Sequence, residues 1–280
     1  MTTLPQFDAA SHVSHPMHAD DADWPETNCY VDLFVELLHG MGLDPVAGMS
    51  FVFSAGFDGE QWEFFKYPQE DLRVLYGIEV HEINAWRSLV DHIQEHFELG
   101  HFLTLEADSW FLPDTAGVSY RLGHQKSSIT PVAIDPESER LTYVHNRGCY
   151  DLHGEDYRGV LQLDKTANML PPYVEVVDVS TMELVSSAEL RSRAQLLMRG
   201  HLERRPGTNP IGRLGDRVRE DLPWLQSAQD PEFFHQYAFG TLRQLGAWAS
   251  CAARITSWID LDGCKMAAQQ FSNISESAKS

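Results

Sequence analysis

The stretch from Cys29 to Met41 constrains the fold more than any other part of this 280-residue chain. Thr27 and Asn28 offer a cap in front of it, and Gly42 and Pro45 end it, the ordinary start and stop signals of a helix. Between them Tyr30, Val31, Leu33, Phe34, Val35, Leu37, Leu38 and Met41 take up most of the circumference. A helix that is apolar nearly all round has to be enclosed by other elements, so the fold must build around it. With 43% hydrophobic residues and seven tryptophans, the chain has the material for that enclosure, and wholesale disorder is excluded.

The remaining patterns predict what does the enclosing. Ser50–Phe53 and Trp62–Tyr67 read as strands around a Gly56–Gly59 turn. Residues 69–76 read as a short helix and Glu79–Ile83 as a strand. Asn84 is then expected to cap a helix whose Trp86, Leu89, Val90, Ile93 and Phe97 share a face and which Gly100 ends. A strand over 101–107 leads into a loop from Trp110 to Gly123, and Ile129–Ile134 with Leu141–Val144 reads as a hairpin. Further strands are expected near 159–163 and 173–178. After about residue 185 the pattern turns helical, with helices from Ser186 to Arg205, from Pro210, and from Pro231 to about Trp258. The predicted fold class is α+β, a central N-terminal helix on a mostly antiparallel sheet with a helical C-terminal portion. The predicted organisation is a flexible arm over 1–25, an α+β catalytic domain over 26–184, a helical portion over 185–262 and a polar tail over 263–280.

Charge narrows the function. There are 41 acidic against 21 basic residues, and the imbalance is concentrated. Residues 1–110 hold 20 acidic side chains and only Lys66, Arg73 and Arg87 as basic ones. Nucleic acid is not a partner for such a field. Apolar runs are short and broken by charges, which argues against a membrane span, and the first residues lack the basic and apolar regions of a secretory signal. The four cysteines do not make a disulfide framework, so a reducing, cytoplasmic setting is expected. His12, His15 and His18 are spaced like ligands, but nothing elsewhere completes a cluster, and no metal site is predicted.

Cys29 opens the central helix. Unpaired N–H groups and the helix dipole favour a thiolate there, and the same N–H groups can hold an oxyanion; the plain alternative is a cysteine packed as a small hydrophobe. A nucleophilic thiol needs a base and the base an orienting group. His124, opening the expected hairpin, is the candidate base. Asn146, Asp151 and Asp135 are the candidates for the third member, in that order, with an Asx-turn the simpler account of Asp135. Asp108, at the end of a strand, either caps the following loop or contacts the site. Asn28 is a candidate oxyanion donor. An early helix-leading Cys, a later strand His, then an amide or carboxylate is the order of papain-like thiol enzymes.

Thr27-Asn28-Cys29, Leu43-Asp44-Pro45, Asp71-Leu72, Leu75–Ile78, Glu106–Asp108, Leu112–Thr115, His124–Lys126, Tyr143 and His145-Asn146 together resemble the bacterial DUF1839 family over about residues 25–260. That resemblance implies proximity to seryl-tRNA-synthetase-like ligases that load amino acids onto carrier proteins. Cys29, Asp108 with Leu112-Pro113, and His124 are also similar, more distantly, to BtrH-type acyltransferases of the papain-like superfamily. The implied activity is transfer of an aminoacyl or acyl group from a carrier-protein thioester to an amine through an acyl-Cys29. The phosphopantetheine arm of the carrier would bring the substrate, and no cofactor would be bound by the chain itself. Hydrolysis of a thioester or amide by the same pair, and a non-catalytic carrier-binding adaptor, are the alternatives.

A partner surface is also suggested. Arg191, Arg193, Arg199, Arg204, Arg205, Arg213, Arg217 and Arg219 face only Glu203 and Asp216 over 191–219. The run is either a solvated face pairing within the molecule or a dock for an acidic carrier protein.

Overall fold

A computed structural model describes residues 4–164, 170–227 and 231–279. The chain divides into two compact units. One takes the stretch up to residue 16, residues 29–44 and 69–184; the other takes 17–28, 45–68 and 185 onward. The fold is mixed α+β, with a six-stranded antiparallel sheet in the first unit and a helical C-terminal portion in the second.

In the first unit the central helix, α1, runs Cys29–Gly40, with every residue from Tyr30 to Leu38 buried. It lies against a sheet ordered β1 (Glu79–Ile83), β6 (Val174–Asp178), β2 (His101–Asp108), β3 (Lys126–Asp135), β4 (Arg140–His145) and β5 (Gly148–His153). Alternation along the strands separates two faces. Glu175, Thr104 and Thr130 line up on the α1 side, where Tyr30 donates to Glu175 Oε2 at 2.9 Å and the two threonine hydroxyls meet at 2.8 Å. The opposite face carries Leu103, Leu105, Ile129, Leu141, Tyr143 and Val176 against Leu89 and Ile93 of α3 (Leu89–Leu99) and Tyr157 and Val160 of α4 (Glu155–Val160). The helix α2 (Gln69–Tyr76) completes the unit.

Local expectations are met in part. The α3 cap is Ser88, whose hydroxyl accepts from Asp91 N, rather than Asn84. Trp86 lies outside the helix and is exposed, and its ring instead faces the Arg87 guanidinium. Gly100 ends α3 with φ +82°, a conformation that favours glycine. The strand expected near 159–163 is replaced by α4, and β5 continues the hairpin past His145. Residues 4–16, expected to be a loose arm, lie against α1. Phe7 packs edge-on to Phe102, and buried Glu36 of α1 accepts from His15 N at 2.9 Å and meets His12 Nε2 at 2.7 Å.

In the second unit, Pro45–Phe53 is a run of 3-10 helix, not a strand, with eight of its nine residues buried. A short apolar run cannot be told from a buried helical segment by periodicity alone, and its one polar residue, Ser50, is itself buried. Residues 62–67 likewise form no strand beyond a single bridge between Phe57 and Trp62. Helices α5 (Ser187–Glu203), α6 (Pro210–Ser227), α7 (Pro231–Ala238) and α8 (Gln244–Trp258) follow, with one π-helical turn over 239–243 between the last two. The expected polar tail is a helix, α9 (Cys264–Lys279). It is held by Ser275, which donates to Gly246 O and accepts from Trp24 Nε1 at 2.9 Å.

Candidate functional site

The site forms where β2 ends and β3 begins. Pairing of Asp108 with Lys126 closes the regular ladder, and Ser109 N still donates to Gln125 O at 2.8 Å, so residues 108 and 124 are held together at its end. Asp108 uses both oxygens. Oδ1 caps the next turn by accepting from Trp110 N at 3.0 Å, and Oδ2 lies 2.6 Å from His124 Nδ1. Trp110 then stacks on the imidazole, with centroids 4.7 Å apart and planes 11° from parallel. A carboxylate only accepts, so Nδ1 carries a proton, and in the neutral ring Nε2 then holds the lone pair. Nε2 has no hydrogen-bond partner among the described residues, and the His124 side chain is 68% exposed. An oriented imidazole with an open Nε2 is what general-base chemistry needs.

Beside this pair Lys126 Nζ and Glu106 Oε1 form an ion pair at 2.7 Å. Glu106, Asp108, His124, Lys126, Gln162 and Pro172 line a cavity of about 300 Å³. Its wall mixes apolar surface with the charged or titratable groups of Glu106, Asp108, His124 and Lys126, which can orient a polar reacting group.

Cys29 is the first residue of α1 and is half-buried. Its thiol donates to Ser128 Oγ at 4.0 Å, its one hydrogen-bond partner among the described residues. Ser128 stands opposite Glu106 on the same face of β3. His124 comes four residues earlier, up to about 13 Å away in extended chain. Cys29 thus sits against the row of side chains that leads to His124, and no hydrogen bond joins the two among the described residues. Cys149 is a different kind of thiol, since burial, with the nearby Asp151 charge, pushes it up to about 12. Among the described residues no group of three His, Cys, Asp or Glu is placed to hold a metal.

The other expected residues lie elsewhere. Asn146 occupies the tight turn from β4 to β5 with φ +43°. Asp151 accepts from Thr142 Oγ1 at 2.6 Å and from Arg140 at 2.9 Å. Asp135 accepts from Glu137 N and Ser138 Oγ in an Asx-turn, which holds its carboxyl below the usual range. The reason is the way β3 divides its pairing. Residues 126–129 pair with β2, and 130–135 pair with β4 across a bulge, so a residue at 124 meets the end of β2 and not the returning strand. The carboxylate on His124 is therefore Asp108, which the sequence offered as a loop cap or a site contact and which does both. Nothing in the sequence pointed to Trp110 as the stacking partner. Asn28, buried in the second unit, donates to Phe65 O at 3.1 Å.

Most arginines of the 191–219 cluster are engaged within the second unit. Arg191 donates to Trp258 O at 2.8 Å, and Arg213 to the carbonyls of Phe57 and Asp58, both at 3.1 Å. Arg193 pairs with Glu189, Arg217 with Asp221 and Arg219 with Asp216. Arg204 meets His201 Nδ1 at 3.0 Å, and Arg205 donates to Leu202 O at 2.9 Å. Arg199 is exposed.

A model of the DUF1839 N-terminal domain matches residues 13–179, and a model of the DUF1839 C-terminal domain matches 187–280. Comparison with curated proteins finds no match. No described helix is long and apolar enough to cross a membrane.

Proposed function

The chain belongs to the DUF1839 family, and we propose that it is a thiol-dependent acyltransferase that moves an aminoacyl or acyl group from a carrier-protein thioester to an amine. The observation that carries this reading is the Asp108–His124 pair with its open Nε2 at the cavity. A cysteine leading a buried helix against an antiparallel sheet supports a papain-like arrangement, as in BtrH-type enzymes. In the first step the Cys29 thiolate attacks the thioester carbonyl, the bond to the carrier sulfur breaks, and that sulfur leaves and is protonated. In the second step an amine attacks the acyl-Cys29, His124 Nε2 takes a proton from its nitrogen, and Cys29 leaves as thiolate. Exchange between thioesters changes little free energy, so positioning and exclusion of water carry the catalytic burden.

The contact of Cys29 with Ser128 rather than His124 favours a second reading, in which His124 activates the amine, or water, for direct attack on the carrier thioester. Incubation with aminoacyl-loaded carrier protein, followed by intact-mass measurement, separates the two. An acyl adduct lost in Cys29→Ala supports the covalent route, and turnover without an adduct supports the direct one. Wild-type turnover in both Cys29→Ala and His124→Gln overturns acyl transfer at this site.

For the partner, exposed Arg199 with Arg204 and Arg205 at the end of α5 suits an acidic carrier protein and the phosphate of its phosphopantetheine arm. A seryl-tRNA-synthetase-like ligase would load that carrier. Reversing Arg204 and Arg205 to Glu is expected to weaken carrier binding about tenfold at low salt and less at high salt. Unchanged affinity removes the docking assignment.

A further inference from the structure

A second imidazole, His145 on β4, is fully enclosed and has both ring nitrogens occupied. Nδ1 lies 2.6 Å from Asp114 Oδ2, and Nε2 lies 2.6 Å from Ser127 Oγ. With Asp114 ionised its oxygens only accept, so Nδ1 carries a proton, and in the neutral ring Nε2 accepts from the Ser127 hydroxyl. The other Asp114 oxygen accepts from Tyr143 OH, and burial, reinforced by the Asp114 charge, raises that hydroxyl so that it stays a donor. The Asp114 side chain is only 3% exposed, and the network sits among Ala107, Leu112, Ile129 and Leu141. Apolar neighbours of this kind do not need a buried charge, and such networks survive where they fix one arrangement.

The three segments tied by His145 show which arrangement that is. Asp114 lies in the middle of the loop that begins after Asp108 and ends at His124, and Ser127 lies on β3 just after His124. One imidazole thus joins the loop before the base to the strand after it. From Asp114 the constraint runs on through the loop. Thr115 Oγ1, next in sequence, donates to Leu112 O at 2.9 Å and Ser109 O at 3.3 Å, and Trp110 O accepts from Arg121 N at 3.3 Å. These bonds seat the backbone of Ser109 and Trp110, and with it the Asp108 carboxylate on His124 Nδ1 and the indole on its face.

We propose that Asp114 and His145, with Tyr143 and Ser127, are positioning residues for His124, acting from the opposite face of the sheet by fixing the 109–123 loop. The functional consequence rests on the reading of His124 as the base; the geometric claim does not. The test uses the full chain with 15N-labelled histidine, the His124 ring signals being assigned from a His124→Gln spectrum. In the wild type His124 is expected as a single tautomer with the proton on Nδ1. His145→Gln and Asp114→Asn are expected to give mixed tautomers as the Asp108 contact loosens. Acyl-transfer kcat is expected to fall about tenfold with KM little changed. His145→Asn, whose amide nitrogen takes the place of Nδ1, is expected to restore the His124 signals. If His145→Gln does not fold, Tyr143→Phe, which removes one hydroxyl and keeps the ring, carries the same readout. Folded variants with the wild-type His124 tautomer overturn the proposal, whatever their melting temperatures. Altered His124 signals with turnover that never depends on His124 leave the positioning claim standing and overturn the reading of His124 as the base.

Discussion

Two histidine–aspartate pairs in this molecule have the same contact and opposite surroundings. His124 with Asp108 and His145 with Asp114 each place Nδ1 2.6 Å from a carboxylate Oδ2. In the first pair the side chains are 68% and 36% exposed; in the second they are 0% and 3% exposed. The contact alone therefore says nothing about chemistry. What differs is the far ring nitrogen, which is open beside a cavity in one pair and bound to Ser127 in the other. Burial turns the same two side chains into a fastening, and exposure leaves one ring nitrogen open.

The comparison breaks or holds on a crossed experiment. His124→Gln is expected to lower acyl transfer by about 10²-fold or more, the ordinary contribution of a positioned base, while leaving the urea midpoint nearly unchanged, because little is buried there. His145→Ala is expected to destabilise the chain by about 3 kcal/mol, since it leaves a buried carboxylate without its main partner. Its effect on turnover of the folded fraction is expected to be the smaller one. Loss of stability in the first variant, or no loss in the second, removes the distinction.

A third imidazole sharpens it with a weaker effect. His96 Nδ1 faces His101 Nδ1 at 3.3 Å, and its ring has no carboxylate partner among the described residues. Asp178 is instead drawn to His101 Nε2 at 3.4 Å. Burial, then the nearby His101, His92, Arg87 and His81, lowers His96 to about 4. The unfolded chain takes up this proton near pH 6.5 and the folded chain only near 4, so stability present at neutral pH is lost as the pH falls through that window. Urea midpoints at pH 7 and pH 5 are expected to differ less in His96→Gln than in the wild type. An unchanged difference would show that neighbouring charge and burial do not hold His96 neutral.

The sequence made the central helix, the hairpin and the helical end legible, because each carries its own caps and periodicity. Cys29 and His124 were legible for the same reason, as residues at the start of recognisable elements. The identity of the carboxylate was not. It depends on β3 changing partner between Ile129 and Thr130, a tertiary event with no local signal. The strand expected at Ser50–Phe53 is instead the end of a buried 3-10 run, because so short an apolar stretch has no period to read. The helix over Cys264–Lys279 looked like a tail because its sequence is mostly polar and it buries little more than Ala268 and Ser275.

The fastening of residues 4–16 changes what counts as the end of this protein. Gly40 has no side chain where a Cβ would come within 2.1 Å of Phe7, so the helix terminus is shaped to receive a ring from the first residues of the chain. Glu36 is 0% exposed and takes two of its hydrogen bonds from His12 and His15. Clipping the chain after residue 16 would strip both from an enclosed carboxylate, a cost of interior mutations and not of frayed ends. These residues are terminal by position and interior by energetics.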